Sequence, residues 1–151
     1  MDRRDYILRM IEQLGHVLLA IRNRILGREI ERPQLQEALS DAARQGGLDL
    51  DLARAMSPET LMMMVAPGGE VDPGRCWLLA EIFYLEGLEA ELAGLVAEAR
   101  SSLERAGFLF GLLEPVAGNL AGVAEAEERL AEIERRLEKL PGRKMRALAP
   151  R

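Results

Sequence analysis

Two residue types that commonly carry reaction chemistry occur once each in this sequence, as one histidine, His16, and one cysteine, Cys76. Glu12 lies one helical turn before His16, a spacing that helical metal sites use when other helices add further histidines or carboxylates. The sequence has no second histidine, and no other ligand set accompanies the pair. We therefore expect no metal site, and we favour a packed or partly exposed histidine over a metal ligand.

Cys76 lies near the start of a predicted helix beside Arg75, whose positive charge could lower the pKa of the thiol. A nucleophilic cysteine needs a nearby base, and His16 belongs to a different predicted helix. We therefore favour a small core residue at position 76. The glycine pairs at 46–47 and 68–69 match neither GxxxxGK[ST] nor a GxGxxG after a strand, so no phosphate-binding loop is predicted. Together these observations predict a non-catalytic protein without a cofactor.

An acidic side chain among aromatic ones is the third chemical feature. Glu81 shares one helical face with Trp77 and Tyr84. A buried carboxylate there would need an arginine or a hydrogen-bond partner, and we favour an edge position that leaves its head in water. The same face could line a pocket between helices, and the residues predicted for that pocket are Trp77, Glu81, Tyr84, Phe108 and Phe110.

The elements that must position these residues are helices. Apolar residues recur at steps of three and four, and glycines and prolines separate the segments. The pattern predicts helices at about 2–27, 33–45, 57–66, 72–87, 88–113 and 119–140. Residues 48–56 alternate like a strand, but no second strand exists to pair with them, so we predict a loop or a short helical turn. The predicted fold class is all-α, with five or six helices.

The two terminal helices are strongly amphipathic. Arginines around the stripe of the first would suit a membrane surface, but its acidic residues favour packing in the core or against a second copy. The seam of the last helix covers about three heptads, which favours docking along neighbouring helices over an independent coiled coil. The predicted interaction surface combines residues of both helices with two methionines, and its members are Tyr6, Ile7, Met10, Ile11, Leu14, Met62, Met63, Leu130, Ile133 and Leu137.

Residues 61–65, LMMMV, are apolar around nearly the whole circumference of a helix. Methionine adapts to irregular gaps in a core and is also common at promiscuous binding surfaces. We favour a short buried core helix over an exposed contact patch, and the exposure of Met62 and Met63 distinguishes the two alternatives.

The stretch WLLAEIFYLEGLEAEL at 77–92 resembles one tetratricopeptide hairpin. Trp77, Ala80 and Tyr84 fit the large, small and aromatic positions of the first helix, and Gly87 fits the turn. Glu81 stands where the repeat usually has a small residue. One period of about 34 residues later, Gly111 replaces the tryptophan and the pattern is absent. The resemblance therefore covers one degenerate unit.

The opening DYILRMIEQL at 5–14 resembles the first helix of a family of uncharacterised bacterial proteins, common in Gram-positive lineages, that continue into tetratricopeptide-like hairpins. The later order of LQEAL, LDLDLARAMSPETLMMMV and the hairpin at 77–92 is similar as well. The resemblance covers about residues 3–113. It implies a fold of antiparallel helical hairpins and supplies no activity, substrate or catalytic residue.

The bulk composition sets outer limits on the function. The 151 residues are 48% hydrophobic and 30% charged, which is enough for one packed domain without disulfides or metals. A net charge of −5 disfavours nucleic-acid binding, because that affinity depends on neutralising phosphates. No run of about 18–20 apolar residues could span a membrane, and no signal peptide is recognisable. We therefore expect a cytoplasmic protein.

These observations predict one helical domain over residues 1–140. It comprises an N-terminal amphipathic helix at 1–32, a tetratricopeptide-like core at 33–113 and a C-terminal seam helix at 119–140, and a basic tail follows at 141–151. The predicted function is a protein–protein interaction or scaffolding module that self-associates as a homodimer. The alternative is a small-ligand or regulatory binding protein with an apolar pocket between its helices.

Overall fold

The computed structural model describes residues 3–117 and 126–142, apart from the side chains of residues 3, 4, 7 and 114–117. These ranges contain helices and no strand, so the all-α class is confirmed. The seven helices are α1 (Arg3–Leu26), α2 (Arg32–Gln45), α3 (Leu50–Ala55), α4 (Pro58–Val65), α5 (Pro73–Leu92), α6 (Val96–Ala117) and α7 (Ala126–Lys139).

Short polar side chains begin three of these helices. Asp49, Ser57 and Asp72 each accept a hydrogen bond from the backbone N–H three residues further on. Such a cap satisfies one of the donors that the first turn of a helix leaves open. The cap at Asp49 begins α3, so of the two alternatives predicted for residues 48–56, a loop or a short helical turn, the helical one is observed.

The boundary between α5 and α6 differs from the predicted one. A helix end was predicted at Gly87, but Gly87 lies inside α5, where its lack of a side chain allows Leu103 of α6 to pack closely. The chain turns at Gly94, whose φ is 77°. The Gly94 and Leu95 N–H groups donate to the carbonyl oxygens of Glu91 and Ala90, the pattern of a helix end closed by a left-handed residue.

The last two helices also differ from the predicted bounds. α6 continues to Ala117, so Pro115 lies in its final turns instead of ending it. α7 is described from Ala126 to Lys139. The first seven residues of the last predicted helix, 119–125, and the basic tail from residue 143 lie outside the described residues.

The central element is α5, which has buried residues on all of its sides. α1, α2, α4 and α6 pack around it, and α7 packs on α6. α1 runs parallel to α5, because Gly15 lies beside Trp77 and Arg22 contacts Tyr84 two turns later in both helices. The buried apolar side chains form one continuous core.

α6 returns antiparallel to α5. Its Leu103 lies against Gly87, whereas its later residue Leu109 accepts a hydrogen bond from the earlier Cys76. The two helices therefore form a hairpin, and the tetratricopeptide-like arrangement of such hairpins stays a prediction. In the part of the chain that is described, no helix is both long enough and apolar enough to cross a membrane.

Candidate functional site

A groove of about 660 Å³ lies over α5 between α1 and α7. One long face of α1 forms its first wall, Trp77 and Glu81 of α5 form the floor, and Arg129 of α7 closes the opposite side. The residues that α1 contributes are Leu8, Ile11, Glu12, Gly15, His16, Leu18, Leu19 and Arg22. Because these residues span roughly four helical turns, the groove is elongated, about 20 Å along α1.

The floor of the groove is apolar at Trp77, which packs against the core and is almost fully buried. Gly15 of α1 lies directly beside it, and a methyl group at position 15 would stand 4.0 Å from the Trp77 Cη2 atom. That distance is an ordinary van der Waals contact. Packing within this chain therefore does not require glycine at position 15, and its missing side chain leaves open space next to the indole.

The polar side of the groove is the ion pair between Glu81 and Arg129. The Arg129 Nε atom lies 3.0 Å from the Glu81 Oε1 atom, and the two side chains are only 19% and 12% exposed respectively. The preference for a solvated Glu81 head was therefore wrong, and the alternative of an arginine partner is the one observed. Burial by itself would lower the pKa of Arg129, but the charge of Glu81 and its hydrogen bonds raise it.

Tyr84 connects this ion pair to both walls of the groove. The Arg129 guanidinium lies 4.4 Å from the centroid of the Tyr84 ring, a favourable cation–π geometry. The Tyr84 hydroxyl donates a hydrogen bond to Glu132 of α7 and accepts one of 3.3 Å from the Arg22 Nε atom of α1. Burial, followed by the contact with Glu132, raises the pKa of Tyr84. One phenol thereby holds α1, α5 and α7 together.

Arg136 extends the same network along α7. Its guanidinium contacts Glu132 at 3.0 Å and Glu91 of α5 at 2.5 Å. Burial by itself would raise the pKa of Glu132, but hydrogen bonds from Tyr84 and Arg136 bring it below its ordinary value. α7 is therefore attached to α5 by charged and polar contacts, while its apolar residues face α6.

Comparison with known proteins supplies no relative whose ligand could be assigned to this groove. No protein-family model, curated protein or solved structure matches the chain. The groove must therefore be interpreted from its own shape, charges and exposed side chains.

His16 and Glu12 lie at the rim of the groove on α1, and both are exposed. The expectation of a partly exposed histidine allowed for this position. Among the residues that the structure describes, no group of three or more His, Cys, Asp or Glu side chains could hold a metal ion. Together with Glu12 and Arg22, His16 instead places polar groups on a wall whose other side chains are apolar.

A second cleft, of about 240 Å³, lies between α2, α3, α5 and α6. Its charged side chains are already engaged with each other: Arg32 contacts Glu89 at 3.1 Å and Arg54 contacts Glu86 at 3.0 Å. Burial raises the pKa of Glu86 despite the neighbouring Arg54. Arg105 donates to the carbonyl oxygens of residues 54 and 56, where α3 ends. These contacts stabilise the fold. Because the charged side chains of the cleft contact each other, we take the groove as the candidate site.

Cys76 is fully buried, as the sequence analysis favoured. Its thiol donates to the Leu109 carbonyl oxygen at 3.1 Å. Burial, with a smaller contribution from Asp72, raises the pKa of the thiol to about 12. The suggestion that Arg75 could lower this pKa was wrong, because removal from water outweighs a guanidinium that lies beside Asp72.

Most of the predicted interaction surface is inside the protein. Met10, Ile11 and Leu14 of α1 are buried against the core, and so are Ile133 and Leu137 of α7, while Leu130 is partly buried. These residues offer little free surface, because this chain's own helices cover the stripes that sequence reasoning assigned to a partner, and Ile11 is the one among them that also borders the groove. The side chain of Ile7 lies outside the described residues.

The remaining members of that surface are exposed. Tyr6 is 55% exposed, and Met62 and Met63 are both open to solvent. The preference for a short buried core helix at 61–65 was wrong for Met62 and Met63, which face solvent, whereas Leu61 and Val65 are buried and Met64 is partly buried. α4 lies at the edge of the fold, so only one side of this eight-residue helix packs against neighbouring helices.

The predicted pocket residues do not stay together. Trp77 and Glu81 line the groove, whereas Tyr84 and Phe110 are fully buried below it and Phe108 packs partly buried against the core. Sequence reasoning also missed the groove residues Leu8, Leu19, Arg22 and Arg129. Leu8 and Leu19 carried a usable signal, because they are apolar residues of α1 that stand outside its main stripe.

Proposed function

We propose that this protein is a non-catalytic protein–protein interaction module that self-associates, and that α1 together with the groove forms its contact surface. The observation that carries the proposal is that α1 has two apolar faces. One face is buried in the core, and the other, on the groove side, leaves Leu19 and Leu26 exposed. Tyr6 and Val17 are exposed on the opposite flank of the helix. Exposed apolar surface of this kind marks contact sites in soluble proteins.

The chemistry of the described side chains supports binding over catalysis. Cys76 is buried, and its pKa of about 12 keeps it a neutral thiol at physiological pH. His16 lies on the groove rim away from it, so the two residues do not form a nucleophile and base pair. The strongest pair in the groove, Glu81 with Arg129, neutralises its own charges.

The chain's charge supports a protein as the partner. A net charge of −5 works against phosphate-rich partners. We also propose a reducing, cytoplasmic setting, because Cys76 is buried as a free thiol. The resemblance of the opening helix to bacterial helical proteins is consistent with that setting.

Sedimentation equilibrium across micromolar concentrations tests self-association directly. We expect a mass that rises with concentration towards twice that of one chain, because the exposed face of α1 becomes covered on association. A mass that stays at one chain over the whole range would contradict the proposal.

A small-ligand binding protein is the second candidate, and the size of the groove favours it. About 660 Å³ falls within the range of roughly 300–1,000 Å³ that is usual for ligand sites. Trp77, the only tryptophan of the sequence, lies on the groove floor and provides the signal. Titration with an apolar fluorescent probe would then give energy transfer from Trp77 with one probe per chain, while the protein stays monomeric.

A further inference from the structure

Six residues of α1 follow the alternating steps of four and three that keep side chains on one face of a helix: Leu8, Glu12, Gly15, Leu19, Arg22 and Leu26. We call them the α1 seam. The first five line the groove, and Leu26 continues the same face beyond it. Leu19 is 53% exposed and Leu26 is 44% exposed, so the described residues of the chain do not cover this apolar face.

The α1 seam is complementary to the α1 seam of a second copy that runs in the opposite direction. If a second α1 is laid antiparallel, with a two-fold axis passing beside residue 17, Leu8 faces the partner's Leu26. Glu12 then faces the partner's Arg22, and Gly15 faces the partner's Leu19. A two-fold interface repeats every such pair twice, so two ion pairs and four apolar contacts form from one helix face.

We propose that the protein forms a homodimer by antiparallel packing of the α1 seams, with each seam occupying the other copy's groove. This inference rests on the self-association proposed above and identifies the surface responsible. Leu19 of each copy enters the space that Gly15 of the other leaves open beside Trp77. The Gly15 and Leu19 pairs thereby form the centre of the contact, the Glu12 and Arg22 pairs lie on either side of it, and the Leu8 and Leu26 pairs close its two ends.

Gly15 supports this arrangement because no contact among the described residues requires a glycine at that position. Glycine is among the least favourable residues in a helix interior. Among the described residues, a Cβ atom at position 15 would have one neighbour within 4 Å, the Trp77 Cη2 atom at an ordinary contact distance of 4.0 Å. In the two-fold arrangement Gly15 lies opposite the partner's exposed Leu19. The space left by the missing side chain can accept that leucine, as a hole accepts a knob in helix packing.

The charges of the seam support a second copy over an unrelated partner. Arg22 donates through Nε to the Tyr84 hydroxyl, which fixes its guanidinium, and within the described residues its two Nη atoms make no hydrogen bond. Glu12 is an exposed carboxylate on the same seam. Glu12 and Arg22 lie at equal distances on either side of the centre of the seam. Each therefore faces the opposite charge of a second copy whose α1 runs antiparallel.

Substituting Gly15→Leu fills the hole and tests the proposal by mass. Gly111→Leu is the matched control, since Gly111 is an exposed helical glycine of α6 with nothing within 4 Å of an added Cβ atom. Sedimentation should show that Gly15→Leu weakens the dimer, with Kd raised at least about tenfold, and that Gly111→Leu leaves Kd unchanged. Circular dichroism confirms that both variants keep their helices.

The direction and register of the contact are tested by disulfide formation between single-cysteine additions. Cys76 is buried and remains silent in the folded protein. In the antiparallel register positions 15 and 19 of different copies adjoin, so a mixture of Gly15→Cys and Leu19→Cys chains should form a mixed disulfide dimer upon mild oxidation. Two copies of the same variant hold their cysteines too far apart for a disulfide, which needs Cα atoms within about 7 Å.

The outcomes separate this inference from the proposed function. A wild-type protein that is strictly monomeric overturns both. A wild-type dimer that is unaffected by Gly15→Leu, or that links two Gly15→Cys chains as readily as the mixture, overturns the α1 seam and leaves self-association standing. A monomer that binds an apolar probe next to Trp77, and loses that binding in Gly15→Leu, replaces the second copy with a small ligand as the occupant.

Discussion

Gly87 of α5 and Leu103 of α6 lie so close that a methyl group at position 87 would come within 2.7 Å of the Leu103 Cγ and Cδ2 atoms. This contact brings the two helices of the central hairpin together. We predict that Gly87→Ala lowers the free energy of unfolding by about 1–3 kcal/mol, because the added carbon overpacks a core that has no free volume there. Urea unfolding followed by circular dichroism gives the value.

Gly111→Ala is the control for that prediction. The position is helical and open, so the substitution should raise stability by about 0.5–1 kcal/mol through the lower entropy of the unfolded chain. If both alanines stabilise the protein equally, the Gly87 contact does not limit the approach of α5 and α6.

The ion pair between Glu81 and Arg129 should contribute measurably to the docking of α7. In Glu81→Gln, the Arg129 guanidinium loses its nearest carboxylate and keeps the longer, 3.5 Å contact to Glu132 and its position over the Tyr84 ring. We expect the free energy of unfolding to fall by about 2 kcal/mol, since both side chains are mostly buried. Thermal and urea unfolding of the variant measure the loss.

The exposed pair of Arg44 and Asp41 is the matched control, because both of its side chains lie mainly in water. Asp41→Asn should change the stability by less than about 0.5 kcal/mol. Equal losses in Glu81→Gln and Asp41→Asn would mean that burial adds nothing to the contact between α5 and α7.

The stability should depend on pH through Glu132. The folded protein holds its pKa below the ordinary 4.5, so Glu132 contributes stability above pH 4.5 that is lost as the pH falls through the lower, folded value. We predict that Glu132→Gln flattens the acid side of the stability profile relative to the wild type. Urea unfolding at a series of pH values from neutral downward tests it.

Glu86 provides a control of opposite sign. Burial raises its pKa above 4.5, so its contribution is present below pH 4.5 and is lost as the pH rises through the folded value. Glu86→Gln should therefore make stability rise more steeply with pH over that window. If both variants changed the pH dependence of stability in the same direction, the pKa values of Glu132 and Glu86 would not be shifted in opposite directions.

The thiol of Cys76 should be inert in the native protein. Its burial and its pKa of about 12 leave almost no thiolate at neutral pH, so a thiol reagent should react orders of magnitude more slowly than with a free cysteine. Addition of urea should restore the ordinary rate. Above pH 9.0, where the unfolded thiol ionises, stability should decline as the pH approaches 12. Rapid labelling without denaturant would contradict the buried position.

Local signals in the sequence determined the helices and most of their ends. Proline at the first helical position and a capping serine or aspartate begin α4 and α5 as predicted, because these groups satisfy backbone donors within a few residues of themselves. Glycine signals were less decisive. Gly87 and Gly94 look equally able to end a helix, and only the position of Leu103 across the hairpin shows which one is a packing glycine.

Tertiary structure alone decided which apolar faces are free and which charges are paired. From the sequence, the stripe of Met10 and Leu14 was predicted to contact a partner, but in the structure it is buried against the core. Glu81 was predicted to be solvated, but it is paired with Arg129, which lies 48 residues later in the chain. A helical period records that a face is apolar, but it does not record what lies against that face. The sequence therefore sets the helices through contacts between near neighbours, whereas the groove and its exposed seam follow from how those helices divide their surfaces among one another.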